Sequence, residues 1–315
     1  MRTLYPEIKP FHTHKIKTDS IHQIYVEECG CSDGIAVVFL HGGPGSGCNE
    51  NHRRYFNPKK YRVIIFDQRG CNRSNPQGCT KKNTTHDLLQ DMERIREYLG
   101  IDKWMIFGGS WGATLGLLYF ESHPEHVLGM ILRGTFLARK QDLEWFTKGG
   151  ASNIFPDYWE KFIGIIPEDE RPNLVAAYHK RVFGKDKKTR NKYAKAWSEW
   201  AGKTVSYNLT EAQDNKEGIN TILHKVSIET HYAVNHYFIK ENQILKNSRR
   251  LPKVPTMIIH GRRDLTCTLG SSWALHKKLP YSELVIVPNA GHLAGEPAML
   301  DALVTATDKM AKLLS

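Results

Sequence analysis

"FGGSWGATL", Phe107 to Leu115, decides how this chain is read. One serine, Ser110, stands between small residues, directly after an apolar run and directly before a helix-like stretch. Gly108-Gly109-Ser110-Trp111-Gly112 fits G-x-S-x-G, a sharp strand-to-helix turn that raises a serine hydroxyl above the end of a sheet. Glycines suit such a turn because the backbone is strained and neighbouring chains pass close by, where side chains would clash. A glycine-flanked serine also fits an ordinary tight turn, so its surroundings have to decide.

Outward from Ser110 the chain alternates. "AVVFLHGG" (Ala36 to Gly43), "YRVIIFDQRG" (Tyr61 to Gly70), "KWMIFGG" (Lys103 to Gly109) and "LGMILRGTF" (Leu128 to Phe136) carry apolar runs expected of strands buried on both faces. In "TTHDLLQDMERIREYLGI", Leu88, Leu89, Met92, Ile95 and Leu99 recur at helical spacing behind Thr84 or Thr85 as N-cap. "GATLGLLYFESHPEHV" predicts a helix ending before Pro124. The alternation then stops, and from residue 137 to 250 the sequence has helical periodicity without a convincing strand, as in "TILHKVSIETHYAVNHYFI". Strands resume in "PTMIIHGRRD" (Pro255 to Asp264) and "SELVIVPNAGH" (Ser282 to His292), with a short helix around "GSSWALHKKL" between them and a final helix in "AMLDALVTATDKMAKLL". The expectation is an α/β core from residues 1–136 and 251–315, a helical cap from 137–250, and a site between them.

Composition bounds the function. The chain has 315 residues, 40% hydrophobic and 24% charged, which suits a folded domain of enzyme size. No apolar run reaches the ~18 residues of a membrane-spanning helix, and "MRTLYPEIKPFHTHK" lacks the apolar core of a signal peptide, so a cytoplasmic location is expected. The six cysteines form no zinc-ligand pattern and are read as thiols, with no metal or cofactor expected. The net charge of +11 is scattered in short groups such as "GKDKKTRNKYAK", read as a solvated helix face, so neither nucleic acid nor membrane is expected as partner.

A serine hydroxyl attacks only when a base takes its proton and an acid orients that base. Asp264 and His292 each stand just beyond a late strand, in the order Ser, acid, His that this scaffold uses. Either alone reads as structural; the three together, each at a strand end, read as a triad. "HGGPGSG" (His41 to Gly47) supplies glycines whose amides can approach a tetrahedral intermediate. Gly43 and Trp111 are the expected oxyanion donors. A phosphate loop would need a Lys and Ser/Thr pair, which does not follow, and His41 reads as a structural loop residue.

"HGGPGSG", "DQRGCNRSNP" (Asp67 to Pro76), "GGSWGATLGLLY", "LRGTF", "NIFPDYWE" and "NAGH" together resemble the prolyl aminopeptidases, or proline iminopeptidases, of the α/β-hydrolase fold, over nearly the whole chain. The resemblance implies release of an N-terminal proline from peptides, without metal, through an acyl-enzyme on Ser110, with Asp264 and His292 as acid and base. It places a cysteine, Cys267, shortly after the Asp. It assigns a cap glutamate in "IETHY", Glu229, to the substrate's free amine, and aromatic pocket positions to Phe136 and Phe146. A second family glutamate follows a W-x-x-W pair; here Trp197 and Trp200 are followed by Ala201. Glu199, two positions from that site on a helix, points to a different side. Phe146 reads equally as a core aromatic, and Arg133 as a pocket residue or a strand-end ion pair. The alternatives to an aminopeptidase are an esterase or amidase on the same scaffold, and a binding protein without turnover.

Overall fold

The computed structural model describes residues 1–205 and 217–315. Among these, eight strands form one sheet in the order β1-β2-β4-β3-β5-β6-β7-β8. They are β1 (His12–Lys17), β2 (Gln23–Gly30), β3 (Ile35–Leu40), β4 (Tyr61–Phe66), β5 (Trp104–Gly109), β6 (Val127–Arg133), β7 (Thr256–Gly261) and β8 (Glu283–Val287). From β4 through β8 the pairs are parallel, while β1 and β2 run antiparallel at one edge. Every residue of β5 and β7 is buried, as expected of parallel strands covered on both faces.

Sequence periodicity passes over β1 and β2. Their pattern is broken by Glu27 and Glu28, buried acids that patterning reads as surface. Arg53 and Arg73 pair with Glu27, and Arg62 with Glu28. Buried carboxylates paired and hydrogen-bonded in this way are tolerated inside a sheet.

The helices of the sheet layers follow the expected pattern. Thr84 caps α1 (Thr85–Tyr98), its hydroxyl accepting from the Asp87 amide at 3.3 Å while Asp87 Oδ2 accepts from the Thr84 amide at 3.0 Å. α2 (Trp111–Ser122) starts directly at Ser110 and ends before Pro124. Between β6 and β7 the described residues form α3 (Lys140–Glu144), α4 (Pro156–Gly164), α5 (Leu174–Val182), α6 (Lys187–Val205), α7 (Ile219–Val234) and α8 (Gln243–Asn247), and no strand. The chain closes with α9 (Leu269–Lys278), β8 and α10 (Pro297–Leu313). Residues 206–216, part of the expected cap, lie outside the described residues.

Two cores flank the sheet. On one side Val37, Ile65, Phe107 and Ile259 meet Tyr55 and Phe56 and the α10 residues Met299, Leu303 and Met310. On the other, Val38, Ile64 and Ile106 meet Leu88, Leu117 and Leu275, and this core runs on without a break into Phe162, Tyr178, Trp197 and Trp200. The helices inserted after β6 therefore share a core with the sheet.

One helix is shorter than its periodicity predicts. α7 stops at Val234, and His236, Tyr237 and Phe238 then hold φ of 49°, 54° and 55°. Three successive non-glycine residues in the left-handed region are costly and persist only where the surroundings hold them. Thr85 Oγ1 donates to the Tyr237 carbonyl, and the Tyr237 ring packs on Trp111.

Candidate active site

The turn at Ser110 is as tight as its sequence requires. Ser110 sits at φ 56°, ψ −122°, between the last residue of β5 and the first of α2. A side chain on Gly112 would run into the Leu40 carbonyl oxygen, so β3 and α2 can approach only over a glycine. The Ser110 amide donates to the Arg133 carbonyl at 2.9 Å, which fixes the strained turn to the end of β6. Such strain in a serine between strand and helix lifts the hydroxyl clear of the backbone.

Asp264 and His292 come together at the same edge, each in the loop after its strand. His292 Nδ1 lies 2.7 Å from Asp264 Oδ2, and the other carboxylate oxygen accepts from the amides of Thr266 at 3.0 Å and Cys267 at 2.8 Å. Burial alone would push the Asp264 pKa up, but the His292 interaction, His260 and the Cys267 amide hold it below the usual carboxylate value. Asp264 is thus an ion at neutral pH. The Ser110 hydroxyl is 3.8 Å from Cys267 Sγ, and among the described residues no hydrogen bond joins it to His292. Nucleophile and base commonly close this gap only with substrate bound. Burial drives the Cys267 pKa well above the usual thiol value, so Ser110 faces a neutral thiol.

Among the described residues Arg133 makes no ion pair at its strand end; it bonds the backbone instead. Its Nη1 donates to the His292 carbonyl at 2.6 Å, and its guanidinium lies against Gly109. It ties the serine turn to the histidine loop.

The glycine loop lies over the turn. A Cβ on Gly42 would stand 3.4 Å from Ser110 Cβ, and Gly43 holds φ 113°, a conformation that favours glycine. Trp111 opens α2, where main-chain N–H groups lack intrahelical partners. His41 is structural, as its sequence context predicts: it is buried, with Nε2 accepting from the Gln68 amide at 3.0 Å. Gln68 also accepts from Trp111 Nε1 at 2.9 Å. The "DQRGCNRSNP" segment braces this loop from below. Asp67 accepts from the Cys48 amide at 2.6 Å and from Arg73 Nε at 2.6 Å, while Arg69 grips Asp91 through two bonds of 2.6 and 2.7 Å.

Above the loop lies α7, with Glu229. A Cβ on Gly45 would stand 2.9 Å from the Lys225 carbonyl oxygen. Tyr232 donates to Asn83 Oδ1 at 2.9 Å, and its ring meets Trp111 edge-on. One Glu229 oxygen accepts from Trp197 Nε1 at 2.9 Å. Burial raises the Glu229 pKa from the ordinary glutamate value, against the weaker pulls of Lys225 and Trp197. Phe146 packs beside this pair, 5.4 Å between ring centres from Trp197 and 6.0 Å from Trp200. Phe136 meets Tyr237 edge-on at 5.0 Å. Both phenylalanines are half-buried.

Glu199 does not replace the carboxylate that Ala201 lacks. Its side chain is 61% exposed and lies 3.8 Å from Lys195 on the outer face of α6. Sequence reasoning missed two residues here. Tyr237 forms a wall against Phe136 and Trp111, and Trp197, recognised only as half of a tryptophan pair, supplies the Glu229 donor. The aromatic-rich "NHYF" was a signal for the first; nothing local pointed to the second, 32 residues away in sequence.

All six cysteines are free. Among the described residues no group of three or more His, Cys, Asp or Glu could hold a metal ion, and no helix is long and apolar enough to cross a membrane.

A mostly parallel sheet with a strained serine between β5 and α2, and an Asp and His at later strand ends, defines an α/β hydrolase. The family model described as alpha/beta hydrolase fold matches residues 35–297. Proline iminopeptidases from Xylella fastidiosa strain 9a5c (47% identical, covering 98% of this chain and 99% of the relative) and Arabidopsis thaliana (44%, covering 99% and 83%) align along nearly the whole chain. The chain therefore belongs to the proline iminopeptidase family. A solved proline iminopeptidase-related protein from Thermus thermophilus shares the fold at TM-score 0.60 and 21% identity, covering 96% of this chain and 98% of that one. An esterase from Rhodococcus sp. ECU1013 shares it equally, at 0.60 and 17% identity over 98% and 100%. The fold alone thus does not set the substrate.

Proposed function

We propose that this chain is a serine aminopeptidase that releases N-terminal proline from peptides. Ser110 Oγ attacks the proline carbonyl carbon as His292 Nε2 takes its proton, with Asp264 holding the imidazole by Nδ1. The amides of Gly43 and Trp111 receive the oxyanion, supported by the positive end of α2. The C–N bond then breaks as His292 returns the proton to the departing amine. A water, deprotonated by His292, attacks the acyl-enzyme and frees proline and Ser110. Residues 137–250 act as the cap, with Phe136 and Phe146 walling the ring and Glu229 holding the free amine. Six free thiols suit a reducing, cytoplasmic setting.

The observation that carries the exopeptidase reading is Glu229, an enclosed carboxylate with, among the described residues, one donor to one oxygen, on the helix that covers the glycine loop. A charge so placed seeks a cation. Ala201, lacking the second carboxylate, favours a secondary reading as an esterase or amidase of wider range. Proline β-naphthylamide, its N-acetyl form and a short acyl ester separate the two. The free amide should be the preferred substrate by kcat/KM. Turnover of the blocked amide or ester as fast as the free amide would overturn the aminopeptidase reading.

A further inference from the structure

Asp264 has a second imidazole beside it that the mechanism does not use. His260, in β7, is fully buried, and both ring nitrogens are engaged. Nε2 lies 2.8 Å from the Cys267 carbonyl oxygen and 3.6 Å from Asp264 Oδ2, and Nδ1 lies 2.7 Å from Ser272 Oγ on α9. A carbonyl only accepts, so Nε2 carries the hydrogen. The neutral ring then accepts the Ser272 hydroxyl at Nδ1. Burial keeps it neutral although Asp264 faces it, and His292 and Arg133 are the other charged or titratable groups around it.

Cys267 is where these contacts meet. Its carbonyl takes the His260 hydrogen, its amide donates to Asp264 Oδ1, and its Sγ touches Ser110 Oγ. With Oδ1 occupied by the Thr266 and Cys267 amides, Oδ2 is the oxygen left for His292. We propose that His260 is a positioning residue for the reaction: its Nε2–H clamps the Cys267 peptide, which keeps Asp264 Oδ2 aimed at His292 and the thiol seated against Ser110. The carboxylate of Asp264 could otherwise rotate and offer His292 either oxygen. The proposal rests on the Ser110, Asp264 and His292 reading above.

The two short amides test it by reach. His260→Asn places a polar group near Nδ1 and leaves no donor at Nε2, whereas His260→Gln carries an N–H out to the Nε2 position. The measurements are kcat and KM for proline β-naphthylamide, the rate of fluorophosphonate labelling at Ser110, and the downfield proton resonance of the hydrogen shared by His292 and Asp264. His260→Asn should lose on the order of 10²-fold in kcat at unchanged KM, label more slowly and lose the resonance. His260→Gln should recover most of all three. Should His260→Asn fail to fold, Ser272→Ala decides, with an expected drop in kcat of about fivefold and no change in KM. Wild-type kcat and resonance in His260→Asn, equal damage in folded Asn and Gln variants, or, where Ser272→Ala decides, unchanged kcat there, would overturn the role. Ser110→Ala separates the two readings. If it stays active the triad reading fails, and if it is dead while His260→Asn matches wild type, only the positioning role fails.

Discussion

The two carboxylates of the proposed site end on opposite sides of their ordinary pKa values. Asp264 is held below the usual carboxylate value and Glu229 is raised above it. Desolvation pushes both upward; the difference lies in what answers it. Asp264 receives Thr266 N, Cys267 N and His292 Nδ1, which occupy both oxygens from inside the protein. Among the described residues, Glu229 receives Trp197 Nε1 on one oxygen alone. A fully engaged carboxylate keeps its charge without further help, and a half-engaged one has room for another donor.

Substitution at each acid should divide this contrast sharply. Asp264→Asn is expected to lower kcat by about 10⁴-fold on every substrate, free amide and neutral ester alike, because the imidazole loses its orientation. Steady-state kinetics on both substrates would show it, and a loss confined to amines would place Asp264 in the binding pocket instead. Glu229→Gln should reduce kcat/KM for free proline amide by roughly 10-fold to 100-fold and leave a neutral ester near wild type, as for one charge-assisted bond. Acid should mimic that change. The raised pKa means that Glu229 takes up its proton at a higher pH than an ordinary glutamate, so KM for the free amide climbs on the acid side while KM for the ester stays flat. A common KM profile for both substrates would remove Glu229 from the amine site. The smallest effect belongs to Glu199→Ala, expected within about 0.5 kcal/mol in stability and unchanged in KM for the free amide. A several-fold rise in that KM would mean that Glu199 does stand in for the carboxylate missing at Ala201.

The same contrast governs what could be read from the sequence. Ser110, Asp264 and His292 each follow an apolar run, so the strand ends alone placed them at one edge. The N-cap of α1 reads from the sequence as Thr84 or Thr85, and the structure places it at Thr84, with Asp87 completing the capping box. The antiparallel edge was hidden because Glu27 and Glu28 pair with arginines from elsewhere in the chain, and their burial depends on those distant partners. The Glu229 environment was partly hidden for a related reason. Trp197 meets it from another helix, and Tyr237 enters through three left-handed residues that no glycine announces. Only the family resemblance pointed to Glu229.

The turn carrying Asp264 is also gripped by the segment inserted between β6 and β7. Trp145 Nε1 donates to the Leu265 carbonyl at 2.8 Å, and the hydroxyls of Thr266 and Thr204 lie 3.3 Å apart. The amides of Thr266 and Cys267 are therefore natural clocks for the opening of this turn. Each is locked onto a buried carboxylate, so solvent deuterium reaches it only when the turn opens, and the turn opens against both the sheet and the helices above it. Their exchange rates report, without any substrate, how often the molecule uncovers its own chemistry.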